Sequence, residues 1–148
     1  MEETKVERIA KNVWLFMRAI HIMKSRSEES GMKPLPMDAQ YMILGLLKQG
    51  AMPMSELGRH MGRSKPSMTA IVDDLIGEGL ARRLPDKDDR RIIRIEMTEK
   101  GKKIMEERRK IARQAIRANL AQLSESELEE LCVSLENVNR IISKANRD

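Results

Sequence analysis

Between Gly79 and Thr98 the apolar spacing abandons helical three- and four-residue steps for alternation, and then returns to them. Before the change, Met68, Ile71, Val72, Leu75 and Ile76 form one face of a helix, with Pro66, Ser67, Ala70, Asp73 and Asp74 mostly on the other. Within it, Ile93-Arg94-Ile95-Glu96-Met97 alternates apolar and charged residues, as a half-buried strand does, and Leu80-Ala81-Arg82-Arg83-Leu84 is short and strand-like. The polar run from Pro85 to Arg91 is too long for a two-residue hairpin turn and reads as a protruding loop. The fold class that accommodates one such switch is mainly α with a small β-hairpin.

The remaining segments read as helices. Val6, Ile9, Val13, Phe16, Met17, Ile20 and Met23 make a one-sided stripe, ended by the Gly31–Pro36 stretch with its two prolines. Asp38 is an N-cap candidate for a helix carrying Met42, Ile43, Leu46 and Leu47 and ending at Gly50. Ser55 is the candidate cap for a helix over 56–61, stopped by Gly62. Ser64 is the candidate for the next, to about Gly77 with Pro66 in its first turn. Two short helices across a tight glycine-containing turn match a helix-turn-helix. Helix resumes over 98–123 with Ile104, Ile111 and Ala115 on one side. Ser124 and Glu127 then form a capping box. In the final helix Leu128, Leu131, Leu135, Val138, Ile142 and Ala145 make a narrow, coiled-coil-like seam suited to packing against other helices.

Composition narrows the function. The 148 residues suffice for one domain or a small domain with extra helices, and the formal charge of +5 would double in a symmetric dimer, favouring a polyanion. A single cysteine excludes an intrachain disulfide framework and fits a reducing cytosol, and two histidines are too few soft ligands for an ordinary zinc site. No apolar run approaches a membrane span, and the opening Met1–Lys5 segment is acidic and polar, unlike a signal peptide. Glycine-rich phosphate loops, G-x-S-x-G and H-E-x-x-H are all missing. The expectation is a cytoplasmic binding protein, not an enzyme, with no cofactor and no metal.

The segment from Arg82 to Arg94 holds six basic residues (Arg82, Arg83, Lys87, Arg90, Arg91, Arg94) and three acidic ones (Asp86, Asp88, Asp89). Taken alone, it is equally well a solvated turn with internal Asp–Arg pairs. Its position behind a helix-turn-helix favours DNA, whose major groove admits a helix and whose narrow minor groove attracts an inserted arginine.

Ser55-Glu56-Leu57, Ser64-Lys65-Pro66-Ser67-Met68-Thr69, Leu75–Leu80, Asp89-Arg90-Arg91 and Met97-Thr98-Glu99-Lys100-Gly101 together resemble the MarR family of winged-helix transcriptional regulators over nearly the whole chain. The resemblance implies a winged helix-turn-helix domain over 34–100, between dimerisation helices over 1–33 and 101–148. It implies a homodimer bound to a pseudo-palindromic operator in double-stranded DNA, most simply as a repressor relieved by a small phenolic or carboxylate ligand. Carried over by position, Arg91 enters the minor groove beside Arg90, and Asp89 orients the arginines and fixes the loop. Ser64, Lys65, Ser67, Thr69 and Ala70 lie where the family's recognition helix faces DNA. This chain departs from the family in carrying Ala70 and Asp74 where a basic residue is common, so guanine readout by arginine is not expected there, and Asp73 could be structural, pairing with an arginine in the domain. Thymine-methyl contacts from Ala70 or Pro66, hydroxyl contacts, and a phosphate grip from Arg63, Lys65 and the wing, Lys87 included, remain. Groove shape would then supply much of the specificity. Rival readings are a helical dimeric adaptor for an acidic protein and a nonspecific architectural DNA binder.

Other residues weigh less. Arg18, His21 and Tyr41 could hold an aromatic acid between the dimer helices and the winged domain, although solvated Arg18 and His21 with a partly buried Tyr41 is the favoured reading. Trp14 reads as packing, His60 as a surface or capping residue, and Cys132 as a buried, inert thiol beside the last seam.

Overall fold

The computed structural model describes residues 3–146, so residues 1, 2, 147 and 148 of the expected terminal segments lie outside the described residues. The chain runs α1 (Lys5–Glu29), α2 (Ala39–Leu46) with a 3-10 turn at Leu47–Gln49, β1 (Met52–Pro53), α3 (Met54–Met61), α4 (Lys65–Gly77), β2 (Ala81–Pro85), β3 (Ile93–Met97), α5 (Glu99–Asn119) and α6 (Glu125–Ala145). The mainly helical class with a small antiparallel wing is as expected. Asp38, Ser64 and Ser124 cap α2, α4 and α6 as read from the sequence, and Thr98 caps α5.

Several boundaries differ. The sheet has three strands in the order β1-β3-β2, all antiparallel, rather than a two-stranded hairpin. Met52 pairs with Ile95 and Pro53 with Arg94, and a proline is tolerated there because β1 is an edge strand. That pairing holds Pro53 extended at φ −58°, ψ 144°, and α3 starts immediately after it, so Ser55 falls inside the first turn and does not cap the helix. The strand expected at 80–84 begins one residue later because Leu80 still belongs to the end of α4. Gly79, at φ 75°, lets Gly79 N–H reach Ile76 O and Leu80 N–H reach Leu75 O, both at 2.9 Å.

The core lies inside the middle segment. Ile43, Leu44 and Leu47 from α2 and its turn, Leu57 from α3, and Met68, Val72 and Leu75 from α4 are fully or almost fully buried against Leu80, Ala81, Ile95 and Met97 of the sheet. α2 therefore turns Leu44 inward where Met42 was expected, and Met42 is exposed. Met105 of α5 closes the core from the far side.

α5 also joins this body to α1. Buried Ser27 donates to Met23 O at 3.0 Å, and the Asn119 amide donates to Ala115 O at 2.8 Å and to Ser27 Oγ at 3.4 Å. Among the described residues α6 buries none fully within the single chain, and only the start of its seam, Leu128 and Leu131, is half-buried. Among the described residues no helix is long and apolar enough to cross a membrane.

Candidate nucleic-acid interface

α3, α4 and the wing enclose an open cleft of about 830 Å³. Pro53, Met68, Ile92 and Ile93 supply its apolar floor, and Arg59, Arg63, Lys65, Arg83 and Arg91 its cationic rim. The helix-turn-helix (Arg59, Arg63, Lys65), β2 (Arg83) and the wing loop (Arg91) thus converge five positive side chains on one concavity, an arrangement suited to a polyanion.

On α4, Ser64 Oγ accepts the Ser67 N–H at 3.4 Å, so one of the helix's first orphan donors is satisfied and the first turn is ordered. Arg63 Nη1 donates to Ser67 Oγ at 3.4 Å, and the Thr69 hydroxyl donates to Lys65 O at 2.9 Å. Lys65, Pro66 and Ala70 are exposed, with Ser67 and Thr69 half-buried between them. Asp73 forms an ion pair with Arg83 of β2, tying the recognition helix to the wing, as the unusual acid on that helix suggested.

The wing is held by two aspartates. Asp86 Oδ2 accepts the N–H groups of Asp88 and Asp89, both at 3.1 Å, and its Oδ1 accepts from Arg94 Nε. Arg94 in turn reaches Ala51 O at 3.5 Å, beside β1. Asp89 accepts the Arg91 N–H at 3.0 Å and grips its guanidinium through both oxygens, Nε at 3.1 Å and Nη2 at 3.0 Å. The Asp86 side chain is only 10% exposed and that of Arg91 is 90% exposed, so one aspartate is a fastener inside the loop while the other presents an arginine to solvent. The Arg94 guanidinium first, then the two N–H groups, hold the Asp86 carboxyl below the ordinary carboxylate range. Arg91 does the same for Asp89, which in turn keeps Arg91 more firmly protonated. Lys87 and Arg90 are exposed on the same loop.

Sequence reasoning assigned no role to Asp86, Arg94 or Arg59. For Asp86 a signal existed: an aspartate two and three residues before further turn residues commonly accepts their N–H groups.

The other candidates do not converge on a cleft. Arg18 and His21 are exposed on α1, and Tyr41 is half-buried against the core. A second cleft, of about 500 Å³, borders the α1–α2 linker, but Lys24, Lys33, Asp38 and Arg108 line it and none of those three does. Cys132 is exposed, contrary to expectation, on a helix that buries none of its described residues fully within the chain. The Glu136 charge, then its contact with Sγ at 3.6 Å, pushes the thiol pKa up. Trp14 is likewise exposed, so the packing expected of it is not made within one chain. His60 lies at the surface, 3.6 Å from Glu56.

A helix-turn-helix backed by a three-stranded antiparallel sheet, with a charged loop between its last two strands, is a winged helix. A model of the MarR family matches residues 38–93 of the chain, from the cap of α2 to the start of β3. It is 31% identical over 91 residues to YhbI of Bacillus subtilis, an HTH-type transcriptional regulator, covering 60% of this chain and 59% of that protein. Over 68 residues it is 35% identical to YpoP of the same organism, also an HTH-type transcriptional regulator, covering 45% and 48%. The chain thus spans between about half and three-fifths of the curated relatives it matches. Its fold is similar to that of the transcriptional regulator BldR of Sulfolobus solfataricus, with a TM-score of 0.68 at 25% identity over 96% of this chain and 99% of that one.

Proposed function

We propose that this chain is a homodimeric, sequence-specific DNA-binding regulator of transcription, acting in the cytoplasm as a repressor that a small aromatic or anionic ligand releases, and that it is not an enzyme. The observation that carries this reading is the cationic cleft between α4 and the wing, with Arg91 held out from the loop by Asp89. In the proposed complex the first turns of α4 enter a major groove. Ser64, Ser67, Thr69 and Ala70 approach base edges while Arg63 and Lys65 hold phosphates. Arg91 enters the adjoining minor groove, and Lys87 and Arg90 grip the strands flanking it.

Dimerisation is supported by what the single chain leaves uncovered. Val6, Ile9, Val13, Trp14, Phe16 and Met17 of α1 are exposed, as are Val133, Leu135, Val138, Ile141 and Ile142 of α6. Apolar surface of that extent on two terminal helices is normally covered by a partner, here a second copy. The dimer would set the two wings to successive grooves about 34 Å apart. A ligand that prefers a different spacing lowers DNA affinity by as much as its own affinity differs between the two arrangements. Arg18, His21 and Tyr41 remain the proposed ligand contacts.

The test is fluorescence anisotropy with duplex DNA from upstream of the chain's own gene and a scrambled duplex of equal length, at two salt concentrations. Tighter binding to the upstream duplex that survives added salt, and its collapse in Arg90→Ala/Arg91→Ala with the fold intact, support the proposal. Equal, steeply salt-dependent binding to both duplexes would favour an architectural binder, and no binding by a folded dimer an adaptor for an acidic protein.

A further inference from the structure

Building on the DNA-binding reading above, we propose that Asp74 is a base-reading residue that selects cytosine in the major groove. α4 buries Met68, Val72 and Leu75, and the line Pro66, Ala70, Asp74, spaced four positions apart, runs exposed along its opposite side. The acids next to Asp74 are engaged. Asp73 pairs with Arg83, and Glu78 Oε1 accepts from Gln40 Nε2 at 3.3 Å. Among the described residues no ion pair or side-chain hydrogen bond reaches Asp74. Its carboxylate is free on the face that the first turn of α4 leads into the groove.

Beyond Lys65, α4 has no basic residue, so it cannot make the bidentate arginine contact that reads guanine. What it offers along this line is apolar surface, from Pro66 and Ala70, and one acceptor. A carboxylate needs a donor. Guanine shows only N7 and O6 acceptors in the major groove, and thymine shows O4 and a methyl group. Adenine offers its N6 amine beside the N7 lone pair, which repels the second carboxylate oxygen. Cytosine offers its N4 amine beside an apolar C–H, and is the base that a carboxylate accepts from without opposition. The same negative charge penalises every other base and every register that brings it near a phosphate, so it discriminates by repulsion as well as by attraction.

The experiment is in vitro selection from randomised duplexes with the full-length protein, its Asp74→Ala and its Asp74→Asn variants. Anisotropy on the selected site and its single-pair variants follows. The wild type is expected to require cytosine at one position of each half-site. Asp74→Ala should flatten that position alone, with roughly a tenfold loss of discrimination. Asp74→Asn should move the preference to adenine, whose N6 and N7 match a carboxamide's acceptor and donor. Because Asp74 is exposed and unpaired, both variants should keep the wild-type melting temperature. Retention of the same cytosine by both variants, or a uniform gain in affinity without any change of preferred base, would overturn the assignment and leave the DNA-binding reading standing. A wild type that selects no sequence at all overturns both.

Discussion

One carboxylate, that of Asp86, holds both ends of the wing loop: its Oδ1 accepts from Arg94 Nε at 2.5 Å on β3, and its Oδ2 accepts the N–H groups of Asp88 and Asp89. Through Arg94 the same contact extends to Ala51 O at the entrance to β1. Asp89, whose N–H is one of those held, is the residue that grips Arg91. The position of Arg91, an arginine held out in solvent, therefore depends on an aspartate that hardly faces it.

Asp86→Ala should release the loop without unfolding the domain, since Asp86 is not part of the apolar core and the hydrogen bonds it loses run to Arg94 and to the loop's own N–H groups. DNA affinity is expected to fall by about tenfold, with the melting temperature changing little. Anisotropy paired with a thermal melt checks this. An unchanged affinity would show that Arg91 finds its place without Asp86.

Asp86 and Asp89 are both held more acidic in the folded chain than free aspartate, by the arginine each one pairs with and then by backbone N–H groups. A carboxyl of that kind contributes its full stabilisation above its unfolded value, near 3.9, and loses it as pH falls through the lower folded value. The wing should therefore be indifferent to pH from neutrality down to about 5 and should loosen only below about 4. Titration of the aspartate carboxyl carbons by NMR checks the sign: the Asp86 midpoint is expected below that of free aspartate, and a midpoint at or above it refutes the contact.

Gly101 sits in the first turn of α5, where alanine would ordinarily favour the helix by up to about 1 kcal/mol. A Cβ there would collide with the Leu80 carbonyl and with Cγ of Met97. Leu80 O also accepts the Thr98 N–H at 3.0 Å, so the backbone cannot yield without breaking the junction between the sheet and α5. Gly101→Ala is expected to destabilise by roughly 2 kcal/mol in urea unfolding, the cost of overpacking outweighing propensity. The control is Gly77→Ala near the end of α4, where nothing lies within 4 Å of the added carbon and the change should be close to neutral.

How far these features could be read from the sequence follows from their range. The alternation of Ile93 to Met97 announced β3, and Asp38, Ser64 and Ser124 announced three helix starts, because each signal is complete within a few residues. β1 was illegible, being two residues long with a proline and defined only by its pairing with Ile95 and Arg94 some forty positions on. The same pairing displaced the start of α3 from Ser55. The Asp73–Arg83 pair was anticipated because an acid on a DNA-facing helix needs a reason. The Asp86–Arg94 pair was not, because a segment of six basic and three acidic residues offers many pairings and only the fold selects one. Cys132 was misjudged because burial was inferred from its place beside a seam that buries none of its described residues fully within the chain.

That uncovered seam gives the last prediction. Val138 and Ile142 lie one turn apart on α6 and are both more than half exposed, and Phe16 and Met17 present a comparable surface on α1. The core of the winged domain, from Ile43 to Met105, includes no residue of α6, so charge placed on the seam should leave that domain folded. Val138→Glu with Ile142→Glu would set four carboxylates into a two-fold interface, where burying even one without a partner is costly. Light scattering is expected to report a monomer, with the helical circular dichroism largely retained. A monomer carries one winged helix and reaches one half-site, so anisotropy on a full operator should show affinity falling towards that of a single half-site. A double variant that remains dimeric and binds normally would move the interface off α6, and with it the proposed spacing of the wings.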